Sequence, residues 1–134
     1  MPKKATKRSK AKPRQQAQPT STGLSENFSA LLCYLFVWIG AIIFLVLETK
    51  SRYVRFHALQ SLIFFGFLAV LNMFISLSMI ADFFVYSFVA PLISLLMWTV
   101  GIIFWVQGMV SAYNGQYYKF PVAGEIAEKE SKKL

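Results

Sequence analysis

Polar side chains recur on one face of the most apolar part of the chain. His57, Gln60 and Ser61 are spaced i, i+3 and i+4, and Asn72 follows on the same helical face. Polar side chains inside a membrane hydrogen-bond a neighbouring helix or line a polar path. A second polar stripe is expected on a later helix. The candidate site comprises Arg55, Phe56, His57, Gln60 and Ser61, with Asn72, Gln107, Ser111 and Asn114.

Two interpretations of this polar set stay open. The first is a groove between the second and third predicted helices that contacts a substrate. The second, which we favour, is hydrogen bonding that only holds the helices together. In either case we expect Arg55 to lie among lipid headgroups, while Gln60 and Ser61 bond a neighbouring helix.

The residues that enzymes use are too few and too far apart for catalysis. The carboxylates of Glu48 and Asp82 mark opposite ends of the second predicted helix, roughly 40 Å apart along its axis. One histidine and one cysteine cannot supply the three or four ligands of a zinc site. No glycine-rich phosphate loop occurs. We therefore expect no enzymatic activity, no cofactor and no metal.

The elements that must position the polar set are strongly apolar. Hydrophobic residues make up 56% of the 134 residues and charged residues only 15%. Uncharged runs of 21, 26 and 36 residues occur at 27–47, 56–81 and 83–118. A helix that crosses the hydrocarbon of a membrane needs about 20 apolar residues. Since backbone groups in lipid must be bonded within their own segment, these runs should be helical.

The sequence therefore predicts an all-α integral membrane bundle with three transmembrane helices. Pro91 divides the longest run, so its first part is expected to be a fourth short or re-entrant segment. Ser25 is the expected N-cap of the first helix. The expected spans are residues 26–47, 54–80 and 90–113.

The two ends of the chain are polar and differ from the predicted transmembrane domain, residues 24–118. Residues 1–23 have no apolar side chain larger than alanine after Met1, which predicts a disordered tail. Residues 119–134 are expected to be a short charged tail. The basic residues of the N-terminal tail are expected to meet anionic lipid or ribosomal RNA. They are Lys3, Lys4, Lys7, Arg8, Lys10, Lys12 and Arg14.

Charge counting leaves the orientation of a three-span protein open. Seven of the 14 Lys and Arg residues would be cytoplasmic with either orientation, so the positive-inside rule ties. A four-span arrangement with both ends inside places eleven basic residues on that side, but it needs two spans from residues 83–118. A multi-pass location in the cell membrane is expected in each case.

Three segments carry a resemblance to a known family. They are LLCYLFVWIGAIIFLVLE at residues 31–48, VRFHALQS at 54–61 and AYNGQYYKFPVAGEIAE at 112–128. The chain resembles small uncharacterised multi-pass membrane proteins of archaea and bacteria. These are related to the channel-type integral subunit of the protein-import translocon in the chloroplast inner envelope. The resemblance implies a membrane location, and the chloroplast relatives are thought to have four spans.

The expected function is that of a non-enzymatic membrane protein that helps insert or translocate other polypeptides. The alternative is a small-solute or ion permease formed by an oligomer, since three helices enclose too little volume alone. Permeases usually carry an ionisable residue at mid-membrane, whereas Asn72 and Ser76 occupy that depth here. Other copies of the chain or other membrane proteins are the expected partners.

Overall fold

The first apolar run forms two helices and not one continuous span. The computed structural model describes residues 18–78 and 83–134. Helix α1, Glu26–Leu35, begins at the expected N-cap, where the Ser25 hydroxyl accepts a hydrogen bond from the N–H of Phe28. Helix α2, Val37–Leu47, follows after a break at Phe36. Val37 has a φ of 53°, a left-handed backbone conformation that interrupts the helix.

Helices α1 and α2 form a hairpin whose two ends lie side by side. The N–H of Ser21, before α1, donates to the Glu48 carboxylate, after α2, at 3.0 Å. Glu26, at the start of α1, accepts a hydrogen bond from the Ser51 hydroxyl. Each helix has ten or eleven residues, so the hairpin is about 15 Å deep. The expected span at 26–47 is therefore corrected to a hairpin that turns back at its middle.

Two long antiparallel helices follow the hairpin. Helix α3, Arg52–Leu77, and helix α4, Ala90–Tyr113, agree with the second and third expected helices. Their antiparallel arrangement brings the hydroxyl of Tyr53, near the start of α3, to the carbonyl of Ala112, near the end of α4, at 2.8 Å. Within the described ranges, two helical segments are long and apolar enough to cross a membrane, Arg52–Leu77 and Ser87–Tyr113.

The segment that precedes α4 is continuous with it. A π-helical turn, Val85–Val89, leads directly into α4, whose first turn contains Pro91. The short or re-entrant piece expected at residues 83–90 is therefore an extension of α4, whereas α1 and α2 form the hairpin. The expected helix end near residue 80 and the turn at Asp82 lie outside the described residues.

The C-terminal region contains a helix that the sequence pattern did not indicate. Helix α5, Ala123–Ser131, packs on α3, and Phe120 before it is 1% exposed. Most of the disordered tail expected at residues 1–23 lies outside the described residues, but Ser21 is hydrogen-bonded to Glu48. The described residues form helices and turns without a strand, which confirms the all-α class.

Candidate functional site

The first turns of α3 present a polar face to the C-terminal part of the chain. The helix begins where the Ser51 hydroxyl accepts a hydrogen bond from the N–H of Val54 at 3.3 Å. Tyr53, His57 and Gln60 then follow at i, i+4 and i+7, and His57 and Gln60 are completely buried. All three side chains bond the backbone between residues 112 and 120. We call these three residues the α3 clamp.

Gln60 holds an extended stretch of backbone with both ends of its amide. Its Nε2 donates to the carbonyl of Tyr118 at 2.9 Å, and its Oε1 accepts from the N–H of Phe120 at 3.0 Å. A neighbouring parallel strand would offer one acceptor and one donor in the same positions. Nε2 also donates to the hydroxyl of Tyr34 at 2.9 Å. The protein itself therefore supplies hydrogen-bond partners for both the nitrogen and the oxygen of this amide.

His57 is held as one neutral tautomer by its two partners. Its Nε2 lies 3.1 Å from the carbonyl of Gln116, which can only accept, so Nε2 carries the proton. Its Nδ1 lies 3.1 Å from the hydroxyl of Tyr34 and accepts from it. A chain of donors therefore runs from Gln60 to Tyr34 to His57 to Gln116. With both ring nitrogens occupied, the imidazole has no free position for a substrate or a metal.

Ser61 bonds one carbonyl group on each side of the break between α1 and α2. Its hydroxyl lies 3.0 Å from the carbonyl of Cys33 and 3.3 Å from that of Val37. The indole N–H of Trp105 donates to the carbonyl of Tyr34 at 2.7 Å. The last carbonyls of a helix lack donors in their own helix, so α3 and α4 supply them here. These bonds make the hairpin bend part of the polar site.

The other candidate residues do not join one groove. Phe56 is buried and packs against His57 and Tyr117, while the buried Ser111 bonds the carbonyl of Gly108 in its own helix at 3.0 Å. Gln107 and Asn114 are exposed, and their side chains make no hydrogen bond within the described part of the chain. Arg55 is partly exposed. The two polar stripes therefore do not face each other, because that of α4 points largely outward.

Glu48 is a polar centre that the sequence pattern missed. Its carboxylate accepts hydrogen bonds from the N–H groups of Ser21, Lys50 and Ser51 at 2.9–3.0 Å. Burial raises the pKa of this carboxyl, but these hydrogen bonds outweigh it, and the net pKa lies below the ordinary value of 4.5. Glu48 is the lone acid between residues 27 and 81 and stands three residues before an N-cap serine, which is the signal that could have identified it.

A groove opens beyond the hairpin bend, between the far halves of α3 and α4. Its volume is about 520 Å³. Apolar side chains line most of it, including those of Trp38, Leu68 and Trp98. Asn72 is the polar member of the lining, and its amide makes no hydrogen bond within the described ranges. The groove exists because the hairpin reaches only part of the way along α3.

Metal chemistry receives no support from the described residues. No group of three His, Cys, Asp or Glu side chains among them lies close enough to hold a metal ion. The polar atoms of the α3 clamp bond other parts of the chain, so the arrangement positions the backbone of residues 112–120.

This geometry is that of a small all-helical protein of the membrane type, with a hydrogen-bonded end and an open apolar end. The model of the magnetosome magnetite crystal formation protein family matches residues 21–127. The chain belongs to this family and is a membrane protein.

Archaeal membrane proteins are similar to the chain over most of its length. One UPF0132 membrane protein of Methanocaldococcus jannaschii is 44% identical over 112 residues, which cover 84% of this chain and 94% of the relative. Another from the same organism is 42% identical over 114 residues, covering 80% and 71%. A UPF0132 membrane protein of Archaeoglobus fulgidus is 36% identical over 107 residues, covering 80% and 96%. No solved structure matches the chain.

Proposed function

We propose that the protein is a multi-pass protein of the cell membrane with two spans and one re-entrant hairpin. Helices α3 and α4 would be the spans. The hairpin of α1 and α2 would enter and leave on one face, because its two ends lie beside the start of α3. Its depth of about 15 Å is half of the hydrocarbon thickness of about 30 Å.

This topology would place both ends of the described chain on one membrane face. The start of α3 and the end of α4 lie together there, and no Lys or Arg occurs between residues 56 and 118. All 14 basic residues then belong to segments on one side of the two spans. The positive-inside rule assigns that side to the cytoplasm. The tie found for three spans is removed, because the hairpin does not carry the chain across.

Labelling of single cysteines from each side of the membrane tests the topology. In a C33A background, we expect Glu130→Cys to react with an impermeant thiol reagent only from the cytoplasmic side. Phe83→Cys should react only from the opposite side. Labelling of both positions from the same side would contradict the two-span arrangement.

We further propose that the protein is non-enzymatic and shelters an apolar segment of another polypeptide during its insertion or translocation. The observation that carries this proposal is the groove with Asn72 on its wall. An amide among apolar side chains in lipid is stabilised by a hydrogen-bonding partner from another helix. A transmembrane segment with one polar side chain would fill the groove and supply that partner.

The resemblance to the chloroplast translocon subunit supports the same class of function and stays a prediction. The name of the matching family connects it with magnetite crystal formation. The groove, and not magnetite crystal formation, is the basis of the proposed function. The alternative of an oligomeric small-solute or ion permease gains no support, since the polar groups of His57, Gln60 and Ser61 are bonded internally.

Photo-crosslinking from the groove tests the proposal. A photoreactive amino acid would replace Asn72, and a matched probe would replace Gln107, which is exposed outside the groove. The substrates are ribosome-arrested nascent chains that carry a transmembrane segment with or without one asparagine. We expect crosslinks from position 72 that exceed those from position 107 and increase with the asparagine.

Equal crosslinking from both positions would contradict the groove. Crosslinks between copies of the chain alone, together with solute flux in liposomes, would favour the permease. Gln60 is an unsuitable probe position, because its side chain is buried and bonded within the protein.

A further inference from the structure

The outer face of α3 changes from basic to apolar within two turns. Arg52 is exposed and Arg55 is partly exposed, while Leu59 and Leu62 follow them on the same side of the helix and are also partly exposed. The opposite face of these turns, with Tyr53, is buried against the rest of the protein. The outer face therefore has a charged end and an apolar continuation.

The basic residues at this end of α3 have no acidic partner within the described ranges. The ion pairs among the described residues all lie in the C-terminal region, where Lys119, Lys132 and Lys133 pair with Glu128 or Glu130. Arg52 and Arg55 form neither an ion pair nor a side-chain hydrogen bond with the described residues.

The carboxylates nearest to this end of α3 are engaged elsewhere. Glu48 accepts backbone hydrogen bonds, and Glu26 accepts one from the Ser51 hydroxyl. At the start of α3, the N–H of Ser51 donates to Glu48 and the N–H of Val54 donates to the Ser51 hydroxyl. The two guanidinium groups therefore have no carboxylate partner among the described residues.

One of these guanidinium groups is partly withdrawn from solvent without compensation. The Nε of Arg55 is buried and has no hydrogen-bond partner among residues 18–78 and 83–134. A buried charged donor without a partner is unfavourable by several times the thermal energy, so an external anion would stabilise it. The hydroxyl of Tyr117 lies in the same region, where Arg52 acts electrostatically on it, and it also makes no hydrogen bond within the described ranges.

We infer that Arg52 and Arg55 bind the phosphodiester group of a lipid headgroup at the membrane surface. The planar fork of arginine matches phosphate oxygens in two-point hydrogen bonds. The apolar continuation at Leu59 and Leu62 would contact the acyl chains of the same lipid. A lipid therefore fits this face better than free phosphate, which would contact only the charged end. The inference is independent of the groove and of any polypeptide substrate.

Native mass spectrometry of the full chain tests this site. The protein would be released from nanodiscs of phosphatidylcholine that contain phosphatidylglycerol, and the retained phosphatidylglycerol would be counted. We expect R52Q/R55Q to retain on the order of tenfold less than the unmodified protein. The matched control K129Q/K132Q removes the same charge from α5 and should retain the unmodified amount. R52K/R55K keeps the charge without the fork and should lie between them.

Each remaining outcome decides against the site. Equal loss of phosphatidylglycerol from both charge-neutralised variants would show a diffuse electrostatic effect and overturn the inference. Unchanged retention in R52Q/R55Q, with an unchanged circular dichroism spectrum, would also overturn it. Displacement of the retained lipid by inorganic phosphate at equal concentration would show that a free anion suffices, and it would overturn the assignment to a lipid.

Discussion

The two ends of the helical bundle differ in how their side chains are arranged. At the end that holds the hairpin and the C-terminal segment, most buried polar side chains are hydrogen-bonded, and the aromatic rings of Tyr34 and Phe120 pack against each other. At the other end, the far halves of α3 and α4 expose large apolar side chains, among them Phe67, Phe74 and Leu92. We call these the closed end and the open end.

The contrast shows what each end depends on. In the closed end, backbone carbonyls and N–H groups away from helices need partners, and the side chains of α3 provide them. In the open end, both helices satisfy their own backbones, so the contacts left for the surroundings are apolar except at Asn72. Substitutions should therefore be costly in the closed end and mild in the open end.

The largest expected effect comes from removing the Gln60 amide. Gln60→Ala removes the partner of the buried N–H of Phe120 and of the partly buried carbonyl of Tyr118. The Tyr34 hydroxyl loses its donor as well. Together these losses should lower the free energy of unfolding by on the order of 4 kcal/mol. Thermal denaturation in detergent micelles, followed by circular dichroism, measures this loss.

The matched control is Gln107→Ala, which removes the same side chain from an exposed position on α4. We expect the midpoint of its thermal transition to stay close to that of the unmodified protein. A loss as large as that of Gln60→Ala would mean that the closed end does not owe its stability to the α3 clamp.

The next prediction compares alanine substitutions at two glycines, one on each of the two long helices. A Cβ at Gly108 would lie 2.5 Å from the ring of Tyr34 and 3.0 Å from that of Phe120, both in the closed end. Gly108→Ala should therefore lower the free energy of unfolding by about 3 kcal/mol. A Cβ at Gly66 would meet nothing within 4 Å. Gly66→Ala should raise the free energy of unfolding by up to about 1 kcal/mol through helix propensity.

The same denaturation measurement compares the two glycine variants. Their effects should have opposite signs. Equal destabilisation by both would show that the open end is packed as tightly as the closed one, against a partner that covers Gly66.

Sequence patterns could predict the long helices but not the hairpin. The apolar runs of α3 and α4 are long, and Pro91 marks the start of α4, so length and local chemistry define them. Residues 27–47 have the length of a span as well, and neither proline nor glycine stands at the break. The break is stabilised by Ser61 and Trp105, which are distant in the chain. Such long-range compensation leaves no local pattern.

The side chains of the candidate site could be predicted from the sequence, but their hydrogen-bond partners could not. The spacing of His57, Gln60 and Ser61 places them on adjacent positions of one helix. Their partners are mostly backbone groups, such as the carbonyls of Gln116 and Cys33, which any residue type supplies. A pattern of side chains therefore could not identify the segment that the α3 clamp holds. It could not predict the outward position of Gln107 either, because that depends on how α4 packs.

A smaller loss than those in Gln60→Ala and Gly108→Ala is expected at the outer edge of the closed end, where Glu48 accepts hydrogen bonds from the N–H groups of Ser21, Lys50 and Ser51. Its pKa is lower in the folded protein than the ordinary value of 4.5, so the carboxylate stabilises the fold fully above that pH. This contribution should be lost as the pH falls below 4.5 and through the lower pKa of the folded state. We expect a loss of about 1–2 kcal/mol, since the hydrogen bonds from Ser21 and Lys50 are only partly buried.

Amide hydrogen exchange of Ser21 and Lys50, measured by NMR in micelles as the pH is lowered, isolates this edge. In the unmodified protein, the protection of both amides, corrected for the intrinsic exchange rate, should decrease below pH 4.5. Glu48→Gln should lack this decrease and show lower protection than the unmodified protein above pH 4.5, because an uncharged amide oxygen is a weaker acceptor than a carboxylate oxygen. Glu125→Gln, an exposed control on α5, should keep the pH dependence. If protection stayed constant with pH while the amide of Phe120 lost its own, the closed end would open from the α3 clamp and not from this edge.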